Sequence, residues 1–212
     1  MSYLTERREE EKERRRLDII EAAERLYAAQ GWDTLTMEQV GREARVSRAL
    51  LYVYFRDKED LLLAITVRAL EDLRLRFEAA EAGEPRGIGQ IAAMGEAYVR
   101  FAAERPFRYD ACARFHAHQL RPAEGNECAC IEQGDAVWAV MIRAIERGMA
   151  DGSIRRDLGD PLRACFMLWS FSHGLLQIAT NKGEEMRRHG IEAGALMADG
   201  HAWLRYLLEP RD

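Results

Sequence analysis

Between Arg42 and Lys58 the chain carries five basic side chains, Arg42, Arg45, Arg48, Arg56 and Lys58, against only Glu43 and Asp57. Ser47, Ala49, Tyr52 and Tyr54 lie among them. These residue types suit holding a polyanion better than breaking a bond. Arginine binds guanine bidentately and an alanine methyl can touch the methyl of thymine, so Ser47, Arg48 and Ala49 are candidates for reading bases. Thr36, Arg45, Tyr52, Tyr54 and Lys58 are candidates for phosphate contacts, which fix register without carrying sequence information. The two tyrosines also suit a small core.

The elements around these residues are helical. Thr36 can cap a first helix, with Gln39 three residues on completing a capping box, and Val40 and Ala44 share one face of it. Ser47 can cap a second helix whose Leu50, Leu51 and Phe55 face inward while Arg48, Ala49 and Tyr52 face out. Two helices joined by three or four residues form the geometry that lays a recognition helix in a major groove. Upstream, Ile19, Ala23, Leu26 and Gln30 recur at helical spacing, predicting a helix over about 15–30 that stops at Gly31, with Trp32 plugging the small core. The charged run before it reads as a solvated helix start, or as an arm whose Arg14, Arg15 and Arg16 touch the DNA backbone or minor groove. Downstream, Asp57-Lys58-Glu59-Asp60 opens a long helix to about Ala82, ended by Gly83-Glu-Pro85-Arg-Gly87.

The pattern Ala44-x-Val46-Ser47-x-x-x-Leu51-Tyr52-x-Tyr54-Phe55-x-x-Lys58-Glu59-x-Leu61 resembles the signature of tetracycline repressor (TetR) family regulators. The flanking Ile19–Tyr27 and Gly31-Trp32 agree with that family. One position departs: Arg45 stands where the family usually has glycine. The resemblance implies an all-α fold divided into a DNA-binding head over 1–60 (motif about 36–55), a connecting helix over 61–82, and an effector-binding and dimerisation body over 83–212. It also implies a homodimer on double-stranded operator DNA, released by a small-molecule effector.

The body shows no alternating β-branched run, and prolines punctuate helical segments expected near 88–104, 107–119, 127–151, 161–180 and 190–208. Asp160-Pro161 is a helix start, with aspartate as N-cap and proline at the first helical position. For the implied effector cavity the candidates are Met94, Tyr98, Phe115, His116, Trp138, Met141, Trp169 and His173, mostly apolar with a few polar groups, so the expected ligand is apolar or aromatic. For the implied dimer interface, a four-helix bundle, they are Phe166, Trp169, Met197, His201, Leu204 and Leu208.

Other chemistries are poorly served. Cys112, His116, His118, Cys128 and Cys130 do not follow a zinc spacing, so no metal or cofactor is expected. Gly87-Ile-Gly-Gln-Ile-Ala92 spells a dinucleotide fingerprint without the preceding strand that it requires. Ser170, Ser172 and His173 lack a nucleophile elbow, so no catalytic residue is assigned and an enzyme is not expected. The net charge of −5 looks wrong for a DNA binder. Screening limits the reach of charge to roughly 10 Å, so the local excess over 42–58 matters more than the total. No stretch resembles a signal peptide or is long enough to span a bilayer, and a cytoplasmic location is expected. The rival readings are a dimeric DNA-binding regulator without an effector and, further off, a helical small-molecule-binding protein or enzyme.

Overall fold

A computed structural model describes residues 3–115 and 124–211, and among them every regular element is helical. The order is α1 (Tyr3–Gln30), α2 (Met37–Glu43), α3 (Arg48–Tyr54), α4 (Lys58–Gly83), α5 (Gly87–Glu104), α6 (Pro106–Arg114), α7 (Asn126–Asp151), a 3-10 turn (Arg156–Leu158), α8 (Pro161–Asn181), α9 (Gly183–Arg188) and α10 (Ala193–Leu208). The chain packs as two compact units. One holds the residues up to Leu70 together with Glu104–Gln133; the other holds Glu71–Ala103 and Gly134–Asp212. By packing, then, the head extends beyond the expected 1–60 and takes back the segment containing α6.

In the first unit, α1 turns Ile19, Ile20, Ala23 and Tyr27 inward onto Val40, Leu51, Phe55, Leu61 and Ile65. The spacing of three and four is what a helix face requires. α1 begins well before the expected 15, and the early pairs Arg7–Glu11, Lys12–Glu9 and Arg16–Glu13 suit that extension, although exposed pairs contribute little. Gly31 ends α1 at φ +79. Of the arm candidates, Arg14 and Arg15 are exposed. Arg16 instead donates to Asn126 Oδ1 at 2.7 Å and sits 5.7 Å from the Phe55 ring centroid. α6 joins this unit through buried Ala111 and a polar chain. The Tyr27 hydroxyl donates to Asp110 Oδ2 at 2.6 Å, and Arg114 donates to Asp110 at 2.8 Å and to both Asp33 oxygens at 3.0 and 3.1 Å. Burial and the Asp110 contact push the Tyr27 phenol well above its ordinary range, while the Arg114 guanidinium holds Asp33 below the usual carboxylate range.

In the second unit, α5 and α7 touch through backbone. A Cβ on Gly87 would lie 2.1 Å from the Gly148 nitrogen, which explains a glycine that the fingerprint spelling had only made look suggestive. Asp151 Oδ2 accepts from Gly87 N at 2.9 Å and Ser153 Oγ from Ile88 N at 3.1 Å, which satisfies amides that α5 itself leaves unpaired. α8 starts as expected, with Asp160 accepting from Leu162 N at 2.9 Å and Pro161 in the first turn. The helix expected near 190–208 is α10, from Ala193, and it is preceded by the short α9 and a turn at Gly190 (φ +72), neither of which was expected. α10 closes on α8 at Gly200, where a Cβ would lie 2.2 Å from the Leu175 side chain.

Candidate nucleic-acid interface and ligand cavity

Both capping expectations of the helix pair hold. Thr36 Oγ1 accepts from Gln39 N at 3.3 Å while Thr36 N donates to Gln39 Oε1 at 2.8 Å, completing the capping box. Thr36 also gives its hydroxyl proton to Gln39 Oε1 at 3.0 Å. Ser47 Oγ accepts from Leu50 N at 3.2 Å. Between the helices Arg45 takes φ 54, the left-handed turn that suits glycine, and Val46 N reaches back to Gly41 O at 2.9 Å. The turn therefore keeps its shape despite the side chain.

α3 buries Leu51 and, at its end, Phe55, and half-buries Tyr54. Its outward edge carries Arg48, Ala49, Tyr52 and Val53. Arg48 lies 5.7 Å from the Tyr52 ring centroid, and Tyr52 is exposed. Two details differ from expectation. Leu50, expected inward, is 37 % exposed, and Val53, not singled out, is 74 % exposed. Val53 follows Ala49 by four residues, so helical periodicity contained the signal.

Lys58, expected on a phosphate, is occupied within the unit. Its ammonium donates to Trp32 O at 2.6 Å and Asp33 O at 3.4 Å and sits 4.9 Å from the Trp32 ring centroid. It clamps the loop between α1 and α2 onto the start of α4, and Arg114 grips Asp33 of the same loop. The start of α4 is capped reciprocally, Asp60 N donating to Asp57 Oδ1 at 2.8 Å and Arg56 N to Asp60 Oδ2 at 3.1 Å. Arg42, Arg45 and Arg56 stay at the surface, Arg42 beside Glu38.

The second unit contains a cavity of about 230 Å³. Four of the eight effector candidates line it: Met94, Tyr98, Met141 and Trp169, joined by Phe77 of α4. Of the other four, three do not. Phe115 lines a different cleft, in the first unit, with Arg56 and Glu127, and His116 falls outside the described residues. Trp138 packs on Phe166, ring centroids 4.4 Å apart. His173 stands behind the wall, paired through Nδ1 with the Tyr98 hydroxyl at 2.9 Å and stacked on Trp169 at 5.0 Å.

Two of the four interface candidates on α10 are corrected by their burial. Met197 and Leu208 are buried within the subunit, and His201, Leu204 and Leu208 line the cavity, as does Trp169 of α8. α10 is apolar on both sides, so periodicity alone did not say which side faces inward. The outward side carries Trp203 (68 % exposed) and Tyr206 (70 %) with Leu207; on α8, Phe166 stays exposed beside Met167.

The cysteines form no common centre. Cys128 donates to Glu132 at 3.3 Å, and Cys130 is buried, donating to Leu63 O, with burial pushing its thiol up to about 12. Among the described residues no three potential metal ligands gather, and no helix is long and apolar enough to cross a membrane.

Residues 19–65 match the family described as bacterial regulatory proteins, tetR family, and residues 91–199 match the tetracyclin repressor-like C-terminal domain. Over 161 residues the chain is 28% identical to the HTH-type transcriptional regulator HbdR of Aromatoleum sp. (strain CIB), covering 76% of this chain and 68% of that one. It is 43% identical over 68 residues to the HTH-type transcriptional regulator BetI of Rhizobium meliloti, 32% of each chain. Among solved structures, a protein of unknown function from Rhodococcus sp. RHA1 superposes with TM-score 0.73 at 22% identity, covering 92% of this chain and 95% of that one. The transcriptional regulator FadR from Bacillus subtilis, solved with stearoyl-CoA, superposes with TM-score 0.67 at 16% identity, covering 91% and 99%. At these identities the structures speak for the fold alone.

Proposed function

This chain belongs to the tetR family of bacterial regulatory proteins and is a DNA-binding transcriptional regulator; on that premise we propose that it is a cytoplasmic homodimeric repressor. It grips an inverted-repeat operator and is released when a small apolar or aromatic effector fills the cavity of the second unit. The observation that carries the operator reading is the outward edge of α3. Arg48, Ala49 and Val53 offer a bidentate donor and two apolar contacts to base edges, flanked by Tyr52, Arg45 and Thr36 for phosphates. The exposed apolar strip on α8 and α10, with Phe166, Met167, Trp203 and Tyr206, supplies the surface for a second copy. Functionally, residues 1–60 act as the reader, 61–82 as the connection, and 83–212 as the effector-binding and dimerising part.

The release step rests on α4. It begins at Lys58, which anchors the loop before α2, and further along it contributes Phe77 to the cavity wall. A ligand that displaces Phe77 tilts α4 and changes the separation of the two recognition helices, so that both no longer fit successive major grooves. Linkage makes the effect reciprocal, with a coupling of about 1–3 kcal/mol typical. A solved structural relative holds stearoyl-CoA, which supports a ligand response on this fold.

The test is footprinting on the DNA just upstream of the protein's own coding region, followed by ligand titration. Two half-sites protected about one helical turn apart, or a multiple of it, are expected. Protection should fade as a ligand quenches Trp169 fluorescence. A single asymmetric site sinks the dimeric operator reading. An operator that stays bound at saturating ligand favours a regulator without an effector.

A further inference from the structure

The amide of Asn126, at the start of α7, lies between a cation and an anion from two other helices of the first unit. Arg16 of α1 donates to its Oδ1 at 2.7 Å, and its Nδ2 donates to Asp60 of α4, to Oδ1 at 2.8 Å and to the carbonyl at 3.2 Å. A guanidinium can only donate and a carboxylate can only accept, so a single orientation of the amide answers both. Hydrogen bonds to charged groups are the stronger kind. Asp60 is 9 % exposed, so losing a partner there is costly. One turn along α7, Cys130 Sγ donates to Leu63 O at 3.2 Å, which fastens the same stretch of α7 to α4 a second time.

Both partners of Asn126 act on the rear of α3. Asp60 Oδ2 accepts from the Arg56 amide at 3.1 Å, directly after the buried C-cap Phe55. The Arg16 guanidinium sits 5.7 Å from the Phe55 ring centroid. α3 has only seven residues, too few to hold a helix alone in water, so its pose depends on what grips it. Ser47 caps the front and Leu51 is buried beneath. Asp60 and Arg16 hold the rear, and Asn126 ties those two together. Asn126 belongs to the stretch 91–199 that matches the C-terminal domain, well outside 19–65.

We infer that Asn126 is a positioning residue for operator recognition. By keeping Asp60 and Arg16 in register it sets the angle at which α3 presents Arg48, Ala49 and Val53. Base readout in this chain thus depends on a side chain of α7, outside the helix pair that meets the DNA. Hydrogen bonds to base edges need that angle, whereas phosphate contacts carry no sequence information. Disturbing Asn126 therefore costs discrimination between sequences before it costs general affinity.

This inference rests on base reading by α3, and Arg48→Ala is carried through the same experiment to keep the two apart. The full chain is titrated, by fluorescence anisotropy, onto a duplex recovered by binding selection with the wild type and onto a random-sequence duplex. Melting is followed in parallel by circular dichroism. The readout is the ratio of the two affinities, because a change of net charge acts on both duplexes alike. Asn126→Asp faces Asp60 with a second carboxylate, and Asp60→Asn sets an amide where Asn126 needs an acceptor. Each should lower the ratio roughly tenfold or more, the scale of one lost hydrogen bond to a charged group. Combining the two keeps the net charge and rebuilds the chain with its central bond reversed, the new amide donating to the new carboxylate, and should recover most of the ratio. Asn126→Ala adds no repulsion, should show the same loss in smaller degree, and decides the matter if Asn126→Asp does not fold. A ratio that holds in the Asn126 variants, whatever their melting temperatures, overturns the inference and leaves Asn126 a structural contact. So does a combined variant that folds without recovering. A ratio that Arg48→Ala also leaves unchanged sinks base reading by α3 itself, and this inference with it.

Discussion

Replacing Arg45 by glycine separates a backbone cost from a side-chain gain at one position. Arg45 holds φ 54, where a residue with a Cβ is disfavoured by roughly 1–2 kcal/mol. Glycine relieves that strain but loses about 0.5–1 kcal/mol through the greater freedom of its unfolded chain. The balance favours Arg45→Gly by about 0.5–1 kcal/mol, or ~1–4 °C in melting temperature for a chain of this size. Arg45→Ala is the control, because it removes the guanidinium and keeps the strain; its stability should match the wild type. On DNA the two variants should behave alike, each losing one phosphate contact and lowering the salt slope by about 1. Thermal melts and salt-dependent operator titrations of the three proteins decide it. If Arg45→Gly melts no higher than Arg45→Ala, the left-handed turn is not strained and the argument fails. If glycine preserves the salt slope, Arg45 does not reach a phosphate.

Arg48→Ala should cost about 1–3 kcal/mol in operator affinity and relax choice at one base pair per half-site, whereas Val53→Ser should shift preference at a position where thymine is favoured; binding selection with both variants checks the assignment. On the outward side of α10, Trp203→Glu should split the dimer in sedimentation while leaving the helical content of the subunit intact, and Leu204→Glu should unfold the cavity side instead because it buries a charge. Gly87→Ala drives a Cβ to within 2.1 Å of the Gly148 backbone, so it should destabilise by about 1–3 kcal/mol or more, read from the urea midpoint; an unchanged midpoint would mean that α5 and α7 can slide apart freely.

The sequence was most legible where local rules act alone. The capping box of Thr36 and Gln39, the Ser47 cap and the Asp160-Pro161 start depend on a few neighbouring residues, and each has the expected geometry. It was least legible where a residue had two plausible environments. α10 is apolar on both sides, and only tertiary packing turned Leu204 toward the cavity and Trp203 to solvent. Lys58 has a charge suited to phosphate, yet the carbonyls of Trp32 and Asp33, far back along the chain, receive its ammonium. The three described cavity candidates that missed, Phe115, Trp138 and His173, did so for the same reason: aromatic identity says that a side chain packs, not against which neighbour.

The return of the chain to the first unit after Glu104 has a practical consequence for exchanging parts between relatives. A piece cut at residue 60 would carry α1, α2 and α3 but leave behind Ala111 of their core and the Asp110 and Arg114 side chains that hold Tyr27 and Asp33. Such a piece exposes apolar surface and strands a buried phenol, so it is a poor cassette. A chimaera that grafts this reader onto another body should carry α6 across as well, or borrow a body whose own α6 presents an acid and an arginine at those places. The recognition surface thus travels with a segment more than forty residues downstream, and operator specificity in this chain is not inherited as a detachable block.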